Sequence, residues 1–67
     1  MKSQRIRAGL YEVSFPNGNS YSVDNRQSPP EWGSEWLWYI NDLNGNVWFD
    51  PCYTKAEALD VLRRVNA

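Results

Sequence analysis

At 67 residues, with a net charge of −1, one cysteine and no histidine, the chain is limited to one small domain (residues 1–67) whose core must be held by side-chain packing. A lone Cys52 excludes an intrachain disulfide, and without histidine it cannot supply the usual zinc ligand set. A domain this short buries only about 60% of the surface its unfolded chain exposes. Large aromatics, at ~1.5–3 kcal/mol each when fully buried, therefore have to build the core.

Charge is laid out unevenly. Lys2, Arg5 and Arg7 make the N-terminus basic, and Arg63 and Arg64 do the same near the C-terminus. Between them Arg26 and Lys55 are outnumbered by Glu12, Asp24, Glu31, Glu35, Asp42, Asp50, Glu57 and Asp60. An acidic body repels phosphate, which disfavours nucleic-acid binding through the folded body. No hydrophobic stretch follows the basic N-terminal residues, so no secretory signal is expected. No apolar run approaches ~18 residues, so no membrane span is expected either. A free thiol suits a reducing compartment, and the expected location is cytoplasmic.

In chain order, residues 1–8 read as a partly ordered lead-in with some strand content near Ile6. From Leu10 to Phe15 the pattern alternates, with Tyr11, Val13 and Phe15 on one side, as a half-buried strand requires. Pro16-Asn17-Gly18-Asn19 is a turn, and Tyr21 and Val23 continue the alternation on a second strand. Residues 25–34 form a Pro-rich loop, because Ser28-Pro29-Pro30 cannot sit in a ladder. Trp32 lies inside this loop. Such a residue either plugs a core edge, the commoner case, or waits for a partner.

Residues 35–42 and 46–51 read as a third and a fourth strand around an Asn44-Gly45 turn. Asp42-Leu43-Asn44-Gly45 fits a type I turn closed by a left-handed glycine, which sets Ile40 across from Trp48; a tighter turn sets Ile40 across from Phe49. The first form agrees better with Asp at the opening position and Gly at the fourth. On the third strand Trp36, Trp38 and Ile40 share one face, Leu37 and Tyr39 the other, so both faces look apolar.

After Pro51, Thr54-Lys55-Ala56-Glu57 is a capping box that opens a helix, with Tyr53 placed to pack near Ala58 as a staple. Ala58, Leu59, Leu62 and Val65 recur at helical spacing. So short a helix needs a sheet to dock on. The expected fold is α+β: a small antiparallel four-stranded sheet of two hairpins with one C-terminal helix packed on one face.

Little in the chain points to catalysis. There is no histidine to act as a base near neutral pH. Cys52 lacks an activating neighbour and reads as a small residue at a strand end. Paired carboxylates such as Glu31/Glu35 or Asp42/Asp50 could in principle act as acid and base, but Asp42 flanks a turn and Asp50 precedes Pro51, which are simpler local roles; Asp42, Asn44 and Asn46 match only part of a calcium loop. The expectation is a protein that is not an enzyme and carries no metal or cofactor. The remaining signal is aromatic: six of the ten rings fall between Trp32 and Phe49. Tyr and Trp are enriched at interface hot spots. The candidate partner-binding residues are Trp32, Trp36, Tyr39 and Trp48, with Glu31, Glu35 and Asp50 as an acidic rim that would steer a basic partner surface. Self-association through the second apolar face is a further reading.

The run from Trp38 through Asp42 and Gly45 to Val47, followed by Tyr53-Thr54-Lys55-Ala56-Glu57-Ala58-Leu59, resembles the small arm-type DNA-binding domain of phage and transposon integrases and the related plant AP2-type domain. The resemblance covers about the last 30 residues of the 67. It implies a three-stranded sheet followed by a helix, with DNA met in the major groove by basic and aromatic side chains of the sheet. Between Arg26 and Lys55 this chain has no Lys or Arg. The corresponding alternative function is therefore DNA binding by the basic arm (Lys2, Arg5, Arg7) together with Arg63 and Arg64. In style the chain is also similar to small aromatic-rich phage and prophage proteins, several of which cap a host enzyme or complex. That likeness implies a protein-binding modulator of a host protein.

Overall fold

A computed structural model describes residues 1–45 and 47–67. Four strands and one helix follow in chain order: β1 (Lys2–Arg7), β2 (Leu10–Ser14), β3 (Ser20–Gln27), β4 (Trp36–Asp42) and α1 (Lys55–Val65), with a single 3₁₀ turn at Pro30–Trp32 before β4. The strands form an antiparallel meander in the order β1-β2-β3-β4. The expected small α+β fold with its four-stranded sheet and C-terminal helix is the fold observed.

Two of the expected segments differ from it. The N-terminal residues form a strand rather than a lead-in, pairing with β2 from Lys2 opposite Ser14 to Arg7 opposite Leu10. The pairing slips between Arg5 and Arg7, which leaves Ile6 as the extra residue. Every residue of β1 is exposed, so no alternation of apolar and polar residues marks it. Conversely, the expected strand at 46–51 is not built as one. Among the described residues, the backbone from Val47 to Cys52 pairs with β4 at isolated bridges, Trp48 with Asn41 and, just past the expected strand, Cys52 with Trp38. Asn46, the expected first residue of that strand and a member of the discounted cation cluster, lies outside the described residues.

The turn before that segment shows why. The Gly45 N–H donates to the Asp42 carbonyl at 3.0 Å, and Gly45 sits at φ +73°, as a type I turn with a left-handed glycine demands. The Asp42 carboxylate also accepts the Asn44 N–H at 2.9 Å and the Val47 N–H at 3.1 Å. The side chain thus takes a backbone donor that a ladder would use. Beyond the turn the register is the tighter alternative: Trp48 faces Asn41 instead of Ile40. A one-residue slip reverses every side chain. Trp48 turns away from the core, and Phe49 turns into it.

The core lies between α1 and the facing side of β2, β3 and β4. Val13, Tyr21, Val23, Ile40, Cys52, Ala58 and Leu62 are all buried, and Tyr11, Phe15, Trp38, Phe49, Leu59 and Val61 pack around them. The alternation of β2 and β3 is as expected, with Val13 opposite Tyr21 and Tyr11 opposite Val23. Tyr21 is the centre of a ring cluster, meeting Phe15 edge-on at 5.9 Å and Phe49 edge-on at 5.7 Å.

The helix begins as its capping residue requires. Thr54 Oγ1 accepts the Glu57 N–H at 3.0 Å. Tyr53 does not act as a staple; it is 70% exposed. The apolar stripe of α1 is shifted from the expected one: Val61 packs on the core, while Val65 stays exposed. At the C-terminal end Asn66 ties the helix to the β2–β3 turn. Its Oδ1 accepts from Asn17 Nδ2 at 2.9 Å and Asn19 Nδ2 at 2.8 Å, and its Nδ2 donates to the Tyr21 hydroxyl at 3.1 Å and the Leu62 carbonyl at 2.9 Å. These bonds satisfy a helix-end carbonyl and fix the docking angle together.

One polar group is badly placed. Asn25 lies on the helix side of β3, opposite Trp38, and its Oδ1 is buried without a hydrogen-bond partner among the described residues. An orphaned acceptor costs about 1–3 kcal/mol. Asn25→Val, which also suits a strand, is expected to raise stability by about 1 kcal/mol in urea unfolding. A loss of stability would show that the amide is satisfied in solution.

Candidate functional site

Three of the four tryptophans are set out in solvent: Trp32 is 60% exposed, Trp36 65% and Trp48 77%. Only Trp38 joins the core, where its ring lies 6.2 Å from that of Tyr11. The chain therefore carries more ring surface than its interior takes in. The sheet face away from the helix, however, is not the apolar surface suggested by β4 alone. The neighbours of Leu37, Tyr39 and Asn41 on that face include Arg26, Asp24 and Ser22, with Glu12 beyond on β2. A face of this composition needs no cover, and the loop does not cover it with Trp32 as a plug.

Trp32 has a different position. The β3–β4 ladder runs one pair past the strand ends, with the Ser28 N–H donating to the Glu35 carbonyl at 2.7 Å and the Glu35 N–H donating to the buried Ser28 Oγ at 2.9 Å. Inside this closure Pro29 accepts the Trp32 N–H at 2.9 Å, and Pro30 accepts the Gly33 N–H at 3.1 Å. Gly33 at φ +99° and Ser34 at φ +55° then turn the chain back into β4. Gln27 Nε2 adds a brace to the Ser34 carbonyl at 3.0 Å. The loop is thus held by its own backbone, and it presents Trp32 without burying it.

Trp32 and Tyr39 come together at an open cleft of about 310 Å³ whose remaining walls are Arg26, Gln27 and Pro29. The Arg26 guanidinium lies over the Tyr39 ring at 4.9 Å and pairs with Asp24 at 3.1 Å. Both contacts hold it over the sheet face. Glu31 and Glu35 flank Trp32 on the same loop and are exposed; among the described residues neither makes an ion pair. Trp48 lies opposite Asn41, two residues along β4 from Tyr39 and ~7 Å away on the same face. Asp50 is exposed in the segment that carries Trp48. Trp36 does not share this surface. It pairs with Gln27 on the helix side of the sheet, beyond the reach of the core.

The basic residues of the DNA-binding alternative are not gathered. Lys2 is opposite Ser14 at one end of β1, and Arg7 opposite Leu10 at the other. Arg5 is opposite Tyr11 on the helix side, where Lys55 Nζ sits 3.5 Å from the Tyr11 ring centre. Arg63 and Arg64 lie at the far end of α1, and Arg64 is engaged by Asp60 at 2.7 Å. The sequence reading missed Arg26 and Pro29. The signal that could have found Arg26 was its place opposite the aromatic strand, which only the register of β3 on β4 reveals.

Cys52 is buried beside Trp38, exchanging backbone hydrogen bonds with it at 2.7 and 2.9 Å. Burial pushes its thiol pKa up, and the carboxylates of Glu57 and Asp50 push it further in the same direction. A thiol held protonated is a poor nucleophile. Alkylation of the folded chain near neutral pH is expected to be at least about tenfold slower than of the urea-unfolded chain. Because the folded thiol ionises at higher pH than the unfolded one, stability is full below the unfolded pKa and falls as pH rises from there through the folded value. Equal alkylation rates in the two states would contradict the placement of Cys52.

No helix among the described residues is long and apolar enough to cross a membrane. Comparison with known proteins gave no matching family model, no matching curated protein and no matching solved structure.

Proposed function

We propose that this chain is a small non-enzymatic protein-binding module that works by occupying a surface of a larger protein, as a phage-encoded modulator of a host protein would. The observation that carries this reading is the exposure of Trp32 and Trp48 beside Tyr39 on one side of the sheet, with Trp32 held out by a loop that is closed on itself. Rigid aromatics lose little conformational entropy on binding and are the residue types most often found at hot spots. Glu31, Glu35 and Asp50 add negative potential around them, so a partner with a basic surface is favoured.

Trp36 belongs to a separate, secondary contact on the helix side. Capture from a lysate of the source cells, with the wild type compared against Trp32→Ala and Trp48→Ala, tests the reading. A protein retained by the wild type and lost with either variant supports it. Identical capture by all three chains removes its basis.

A further inference from the structure

We infer that the Trp32–Tyr39 cleft is a docking site for a proline-rich segment in the polyproline II conformation with basic flanking residues, an assignment that rests on the protein-binding reading above. The cleft lies on the sheet face, not along a free ladder edge, so an added β-strand does not fit it. An amphipathic helix needs a groove long enough for anchors at i, i+3 or i+4 and i+7, and the five walls of this cleft of about 310 Å³ do not make one. A polyproline II segment has neither requirement. It is stiff before it binds, has no internal hydrogen bonds, and lays prolyl rings into narrow aromatic-lined grooves.

The walls match that ligand. Trp32 and Tyr39 supply the rings; the Arg26 guanidinium lies over one face of Tyr39 at 4.9 Å, which leaves the exposed Trp32 as the main stacking surface. Pro29, itself a wall of the cleft, has φ −57° and ψ 152°, which is polyproline II geometry, and adds a rigid apolar surface beside the two rings. Tertiary prolyl amides offer carbonyl acceptors but no donors, and a Trp indole N–H is a donor only.

Charge decides the flanks. Arg26 is already engaged by Asp24 at 3.1 Å, whereas Glu31 and Glu35 are exposed on either side of Trp32. Neither carboxylate is a wall of the cleft, but both stand exposed on the loop that holds Trp32, where they repel a phosphate and attract arginines flanking a bound peptide. The cleft therefore favours the peptide over a nucleobase stacked between the same rings.

The test is a fluorescence titration of the full chain with a synthetic oligoproline peptide flanked by arginines. Three competitors accompany it: the same peptide with glycine in place of proline, an oligoproline with glutamate flanks, and a single-stranded oligonucleotide. Saturable binding of the first alone is the expected result. Trp32→Ala should weaken it at least about thirtyfold, the effect of removing a hot-spot residue. Glu31→Gln with Glu35→Gln should weaken arginine-flanked binding about threefold to tenfold and abolish the preference over glutamate flanks. This second variant leaves every ring in place and reads the charge argument even if Trp32→Ala disturbs the loop. No saturation up to millimolar peptide, equal binding of the glycine version, or tighter binding of the oligonucleotide would overturn the assignment. If the peptide fails while lysate capture still depends on Trp32, the ligand class falls and the protein-binding reading stands.

Discussion

Tyr21→Ala is expected to leave the chain without a cooperative fold at room temperature. Tyr21 is 2% exposed and is held edge-on between Phe15 and Phe49. Its hydroxyl accepts from Asn66 Nδ2 at 3.1 Å, the bond that ties the end of α1 to the sheet. Removing a buried aromatic side chain costs about 3–5 kcal/mol. At ~0.05–0.15 kcal/mol per residue, a domain of this length has only about 3–10 kcal/mol in total. Circular dichroism and urea unfolding would show the loss. Tyr21→Phe separates the two contributions. It keeps the ring contacts, gives up the hydroxyl's contacts with the Asn66 amide at 3.1 and 3.4 Å, and should cost about 1 kcal/mol. If Tyr21→Ala melts cooperatively near the wild-type temperature, the core is not centred on Tyr21.

The opposite pattern is expected when Trp32, Trp36 and Trp48 are replaced together by alanine. Substitutions at exposed positions usually change stability by no more than about 0.5 kcal/mol each, so the triple variant should fold. Its affinity for a protein partner should fall by far more. A single hot-spot truncation costs at least about 2 kcal/mol, or about thirtyfold. Loss of stability would have to come from Trp36 and Trp48, because the loop around Trp32 is closed by its own backbone bonds at Ser28, Pro29 and Pro30.

The parts of this fold that were legible in the sequence are those where burial imposes a period. Tyr11, Val13 and Phe15, then Tyr21 and Val23, alternate because one side of β2 and β3 faces α1. Thr54 and Glu57 mark the helix start because a short polar side chain at that spacing can take an orphan N–H. The β1 strand was hidden because it is exposed along its whole length, and its serine, glutamine and basic residues carry no alternation. The apolar residues Val47, Trp48 and Phe49 look like a strand in the sequence, but the Asp42 carboxylate diverts the Val47 N–H from a ladder. That diversion also decided the site. It moved the register by one residue, sent Phe49 into the core and left Trp48 in solvent.

For the site itself, residue type was informative and placement was not. Trp32, Tyr39 and Trp48 lie on one side of the molecule, as a binding surface requires, but Trp36 faces the helix side. The acidic rim is split between the loop that holds Glu31 and Glu35 and the segment that holds Asp50. Side-chain direction along β4 follows from period two, and Trp36 and Tyr39 differ in parity, so their separation was implicit in the sequence. Arg26 and Pro29 joined the cleft through the pairing of β3 with β4 and the closure of the loop. Neither feature leaves a local signature.

The most direct test of the account is quantitative capture of a partner from cell lysate by the wild type and by the Trp32→Ala/Trp36→Ala/Trp48→Ala chain, with the folded fraction of each bait measured by circular dichroism on the same sample. The account predicts two folded baits, of which only the wild type retains a specific protein. A triple variant that collapses as Tyr21→Ala does, or one that folds and still holds the same partner, would contradict it.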